Sequence, residues 1–193
     1  MKRISPFLAT VIILPVFLSG FLLSPVCHAA SYPLSSMDGS VIAEVEAPTD
    51  LAYAPELATP GDTPEYYFLP KDGKDPLRFV YYTSGAGDPM KLAEMAQTDY
   101  AMFYDDFAGS EIRNESIAGR DGIAFSYTCH YPDRSGKNEV YEQTAVGYWP
   151  LGDGLFVACI VSLAFDDPSA YWPEAQLAAK LEEALGCVTV TRE

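Results

Sequence analysis

Between residues 111 and 165 the chain passes through four β-prone runs separated only by short polar turns, and this spacing restricts the fold more than any other feature. The runs 111–118 and 122–131 flank Gly119-Arg120-Asp121-Gly122. The run 139–149 follows the turn Asp133-Arg134-Ser135-Gly136, and 155–165 follows Leu151-Gly152-Asp153-Gly154. Turns this short leave no room for a crossover, so consecutive strands must pair antiparallel and form a meander. The stretch 155–163 is almost wholly apolar, which predicts a central strand covered on both faces.

The flanking sequence supplies the covers. Asp88-Pro89 is a helix start, a capping carboxylate followed by proline at the first helical position. From there Leu92, Met95, Ala96, Met102, Phe103 and Phe107 recur at helical spacing, which predicts one packed face, with Gly109 as the terminator. A second helix begins at Asp167-Pro168 or Trp172-Pro173. Its stripe is Leu177, Leu181, Leu185 and Val188, it stops at Gly186, and 187–190 lies against the sheet edge. Upstream, 31–40 reads as a loose polar segment and 41–46 as a first strand. Pro48, Pro55, Pro60 and Pro64 punctuate a loop. The aromatic runs 65–69 and 77–83, joined by Lys71-Asp72-Gly73-Lys74, read as a hairpin. A sheet with one helix before its meander and one after predicts an α+β fold, an α/β/α sandwich with helices on both faces of a central antiparallel sheet. No repeat or linker divides residues 31–193, so they form one domain.

Residues 1–30 read as an export signal: Lys2 and Arg3, an uncharged run from 7 to 23, then Cys27-His28-Ala29-Ala30 with small residues at the peptidase positions. Pro15 and Gly20 interrupt the run, which suits cleavage better than a permanent anchor, and Val26 before Cys27 makes a poor lipoprotein signal. The expected location is periplasmic or extracellular, without a stable membrane span after cleavage. Losing Lys2 and Arg3 leaves 10 Lys and Arg against 27 Asp and Glu, a net charge of −17. Such a surface repels phosphate backbones, which excludes nucleic acid as a partner.

The chemical inventory is sparse. Once His28 leaves with the signal, His130 is the only histidine, and the thiols are Cys129, Cys159 and Cys187. Adjacent strand residues point to opposite faces, so Cys129 and His130 do not form a dyad. The same parity defeats a zinc site, and Asp72, Asp75, Asp105, Asp106, Asp166 and Asp167 lack the alternating spacing of a calcium loop. No cofactor, metal or catalytic residue is expected. The second helix returns antiparallel over the strand before it, which makes Cys159–Cys187 the better guess for a disulfide in an oxidising compartment. All 13 tyrosines follow residue 30, a density that suits half-wet strands. Tyr66, Tyr67, Tyr81, Tyr82 and Trp149 are the candidates for a partner surface.

The order of elements resembles the Mog1/PsbP-like fold, which includes DcrB-like small exported bacterial proteins. The resemblance is carried by 88–107 as first helix and by Ile117-Ala118-Gly119-Arg120-Asp121-Gly122-Ile123-Ala124-Phe125 as the hairpin before a long strand. Residues 156–163 and the closing helix complete it. The resemblance implies a non-enzymatic accessory or binding role toward a protein of the cell envelope. The competing readings are a small hydrolase or thiol enzyme using Cys129, His130 or Cys187, and an envelope-anchored assembly or stress factor with an uncleaved N-terminus. N-terminal sequencing of the exported protein separates the last from the first: a start at Ala30 or Ser31 is expected, and a start at Met1 establishes the anchor.

Overall fold

The computed structural model describes residues 30–191 apart from 37, 59–63, 73–75, 86, 118, 134 and 153. The export segment lies outside the described residues. So do parts of the turns at 71–74, 133–136 and 151–154.

In chain order the elements are β1 (Ser31–Ser35), β2 (Val41–Glu46), β3 (Leu51–Tyr53), β4 (Tyr66–Pro70), β5 (Leu77–Ser84), α1 (Pro89–Phe103), β6 (Asp105–Gly109), β7 (Arg113–Ile117), β8 (Arg120–Pro132), β9 (Glu139–Gly152), β10 (Leu155–Phe165), α2 (Glu174–Gly186) and β11 (Val188–Val190). The meander is present as expected: β8, β9 and β10 pair antiparallel in succession. Strand β10 continues onto β5, and the eight-stranded sheet runs β3-β4-β5-β10-β9-β8-β6, with β7 also paired to β8. Strands β6 and β7 lie end to end along that edge of β8. Between them the Ser110 amide donates to the Ser126 carbonyl at 2.8 Å, and the Ser126 amide donates to Ser110 Oγ at 2.9 Å.

Alternation along β10 splits the core in two. Val157, Cys159, Val161 and Leu163 meet Leu177, Leu181, Ala184 and Leu185 of α2. Ala158 and Ile160 belong with Ala93, Ala96 and Tyr100 of α1. The helices therefore cover opposite faces of the sheet, each on residues of one parity. The class is α+β.

Local chemistry explains the boundaries. Asp88 accepts from the Met90 and Lys91 amides and Pro89 opens α1. Asp167-Pro168 caps only a short 3-10 turn, and α2 starts after Trp172-Pro173. Three expectations are corrected. Residues 31–35 are not loose, because they form β1, which pairs with β2 in a three-stranded sheet completed by β11. The proline-rich stretch holds β3, paired to β4. Helix α1 stops at Phe103 rather than Gly109, and the chain turns into β6 through Asp106 at a φ of 47°. The strand at 188–190 belongs to the small sheet, which joins α2 on its side of the large one through Leu34, Ala43, Val45 and Val188.

Trp149 is fully buried on the α2 side, and its indole lies across two glycines. A methyl built on Gly122 would sit 2.7 Å from Trp149 Cδ1, and one built on Gly147 would overlap the ring directly. These glycines are required by sterics, since a broad ring can lie flat on a sheet only where side chains are missing beneath it. We expect Gly147→Ala to cost about 1–3 kcal/mol through overpacking, read as a lower urea midpoint with unchanged slope.

Candidate functional site

Seven of the 13 tyrosines lie between the sheet and α1 or on that face of the sheet, and two of them, Tyr127 and Tyr131, reach one buried carboxylate. Tyr82, Tyr100, Tyr104, Tyr127, Tyr131 and Tyr148 pack there, and Tyr67 pairs with Val80 in the same row of β5. A cross-strand row runs Arg78, Ser162, Thr144, Tyr127. Glu142 lies next to it on β9, opposite Cys129, and is 8% exposed.

A carboxylate at this depth requires compensation. Glu142 accepts from Tyr131 Oη at 2.8 Å, from Thr144 Oγ1 at 2.9 Å and from Tyr127 Oη at 3.4 Å. Arg78 Nη2 stands 3.7 Å from Oε2, the oxygen that also accepts from Tyr131, and remains partly open to solvent. Burial first, and then the Glu142 charge, raise the Tyr131 hydroxyl to about 12. Tyr127 is raised further by the same two causes. Burial raises Tyr82, Tyr100 and Tyr104 as well. The face therefore carries neutral phenols, of which Tyr127 and Tyr131, with Thr144, donate to the one buried carboxylate. Ser162 Oγ, at the centre of the row, is buried without a hydrogen-bond partner among the described residues.

Residues singled out from the sequence do not gather into one surface. Tyr67 and Tyr82 lie half-buried on the α1 side. Tyr66 lies on the other, its ring 5.3 Å from Tyr32 and 5.7 Å from Tyr53, and its hydroxyl donates to the Pro33 carbonyl at 2.7 Å. Tyr81 and Trp149 are not surface residues: both are wholly buried on the α2 side. Tyr81 donates to the Ala184 carbonyl at 2.8 Å, so its hydroxyl is spent inside the core.

Cys129 is buried on the α1 side, where burial and Glu142 raise its thiol to about 12. A thiol held protonated in this way is a poor nucleophile. His130 follows it at the opposite parity, with Nδ1 3.5 Å from Asp106 Oδ2 and its ring 5.8 Å from Tyr141. Cys159 and Cys187 both lie against the Tyr81 hydroxyl. The expected disulfide between them is not formed, and among the described residues Cys129, Cys159 and Cys187 are free thiols. The phenol sits against both sulfurs, and Cys187 Sγ contacts the Glu183 carbonyl at 3.5 Å. Among the described residues no group of three or more His, Cys, Asp or Glu could hold a metal ion. A cleft of about 430 Å³ opens on the α2 side between Leu51, Leu77, Phe79 and Lys180. Both its lysines are engaged, Lys71 with the Thr49 carbonyl and Lys180 with Glu183.

The largest departure from the sequence reading is the rotation of α1. The packed stripe is Ala93, Ala96, Tyr100 and Tyr104, with Met90 and Leu92 beside it. Tyr100 stacks on Tyr127 at 4.8 Å and Tyr104 on Tyr131 at 5.5 Å. Met95, Met102 and Phe103, expected in the core, are 62%, 69% and 78% exposed. The signal that could have shown this is the recurrence of 93, 96, 100 and 104 at helical spacing, small residues followed by aromatics with polar tips.

No family model and no curated protein matches the chain. Among solved structures it is similar to LpqN of Mycobacterium tuberculosis, described as involved in cell envelope biogenesis, with a TM-score of 0.44 and 17% identity over 84% of this chain and 91% of that one. It is also similar to PA94, a protein of unknown function from Pseudomonas aeruginosa, with a TM-score of 0.42 and 13% identity over 78% of this chain and 92% of that one. Neither likeness assigns an activity to this chain.

Glu142 can be tested for its structural part in this site. Glu142→Leu strands the Tyr131 and Thr144 hydroxyls and the Arg78 charge, and is expected to cost about 3 kcal/mol in urea unfolding, while Glu142→Gln, which keeps an acceptor, loses less than half of that.

Proposed function

We propose that the chain is an exported, non-enzymatic accessory protein that engages a protein partner of the cell envelope. The observation that carries this reading is the group of three large apolar side chains held out to solvent on α1, where a well-packed monomer exposes few. The half-buried Tyr67 and Tyr82 on the same side of the sheet add rings of the type enriched at interfaces. The segment 1–30 supports export, and among the described residues no helix is long and apolar enough to cross a membrane. The protonated Cys129 thiol and its separation from His130 weigh against thiol catalysis. The Mog1/PsbP-like architecture is part of this proposal, supported by a helix before the meander and a helix after it on the opposite face.

The test is photo-cross-linking in the native envelope, with benzoylphenylalanine placed in turn at Met102, Tyr67 and the exposed turn residue Lys137. Discrete adducts with one envelope protein are expected from Met102 or Tyr67 and not from Lys137. Monomer alone from every position, across growth conditions, would sink the accessory-protein reading.

A further inference from the structure

Helix α1 carries large apolar side chains on two faces, and the sheet takes only one of them; on the outer face Thr98 and Asp99 fill the turn between the two methionines. The stripe 93, 96, 100 and 104 is used inside. The outer group, Met95 and Met102 two turns apart with Phe103 on its flank, stands at 62%, 69% and 78% exposure. At 1.5 Å per residue the two methionines are about 10 Å apart along the axis. That is the spacing of side chains at i and i+7 on a second helix lying alongside.

The surroundings of these side chains on the helix are acidic. Glu94 and Asp99 are exposed on the same helix, and Asp99 stands one turn from Met95, Met102 and Phe103 alike. Lys91, at the N-terminal end, is the positive exception. The full chain carries a net charge of −15. A second copy of this protein, or an anionic membrane, would bring like charge against those carboxylates, which costs free energy where counterions are displaced. A cationic partner removes the penalty and gains attraction on approach. Methionine adds adaptability, since its unbranched, polarisable side chain moulds to varied apolar surfaces.

We propose that the outer face of α1, centred on Met95, Met102 and Phe103, docks a basic amphipathic helix of a protein partner. Apolar side chains of that helix one or two turns apart seat beside Met95, Met102 and Phe103, and its lysines or arginines face Glu94 and Asp99. This deepens the accessory-protein reading and rests on it.

The test uses the purified exported protein and a synthetic Leu/Lys amphipathic peptide of about 14 residues, long enough for a helix on binding. Its Leu/Glu counterpart and phosphatidylglycerol vesicles serve as rival ligands. The variant Met95→Gln, Met102→Gln, Phe103→Ser removes the apolar group without changing charge. Calorimetric titration at physiological salt is expected to show binding of the Leu/Lys peptide, about tenfold or more weaker for the variant, and none for the Leu/Glu peptide. The Met95 and Met102 methyl resonances of the unaltered protein are expected to move on titration, which needs no variant to fold. Equal affinity for the variant, still methyl resonances or no binding at all would overturn the proposal. So would vesicle binding, or self-association in sedimentation, that the variant abolishes. If envelope cross-linking from Met102 or Tyr67 still yields a protein adduct while the peptide fails, the accessory reading survives and the basic-helix assignment falls.

Discussion

Burial of β10 on both faces is the constraint from which the rest of the arrangement follows. Its neighbours on either side, β5 and β9, complete its ladders, so it has no free edge. Its alternate residues therefore define two cores, and each must be closed by an element from outside the sheet. Helix α2 closes one with leucines and is joined there by the small sheet β1-β2-β11. Helix α1 closes the other with alanines and tyrosines.

The same alternation sorts the chemistry. Tyr81 and Tyr82 are neighbours in sequence, yet one is spent on the Ala184 carbonyl inside the α2 core and the other packs half-buried on the α1 side. Cys129 and His130 part in the same way, one beside Glu142 and the other beside Asp106. The main concentration of polar groups within a core, among the described residues, is the Glu142 network, in which hydroxyls of β8 and β9 and a guanidinium of β5, across β10, surround a single carboxylate. Groups so matched favour one register of β8 on β9, since a one-residue slip would put Glu142 and its β8 donors, Tyr127 and Tyr131, on opposite faces.

The helix that covers this network also sets the outer surface. With Tyr100 and Tyr104 stacked on Tyr127 and Tyr131, α1 has one rotation open to it, and that rotation turns Met95 and Met102 outward. Small residues at Ala93 and Ala96 let the axis come close to the sheet, which the methionines would prevent. The exposed apolar group is thus a consequence of how the inner face is packed.

Much of the architecture was legible from residue order alone. The turns at 119–122, 133–136 and 151–154 determined antiparallel neighbours, the run at 155–163 determined a doubly covered strand, and Asp88-Pro89 determined where α1 begins, because these depend on local sterics, capping and periodicity. Strand parity likewise separated Cys129 from His130 in advance. Tertiary structure alone decided which of two faces of α1 bearing apolar side chains is buried, since both carry residues at helical spacing and only the facing rings of β8 discriminate between them. It also decided that Trp149 lies inside, which depends on Gly122 arriving from a different strand, and that 31–35 is ordered, which depends on pairing with β2. Each of these turns on contact between segments distant in the chain, and neither periodicity nor propensity carries that information.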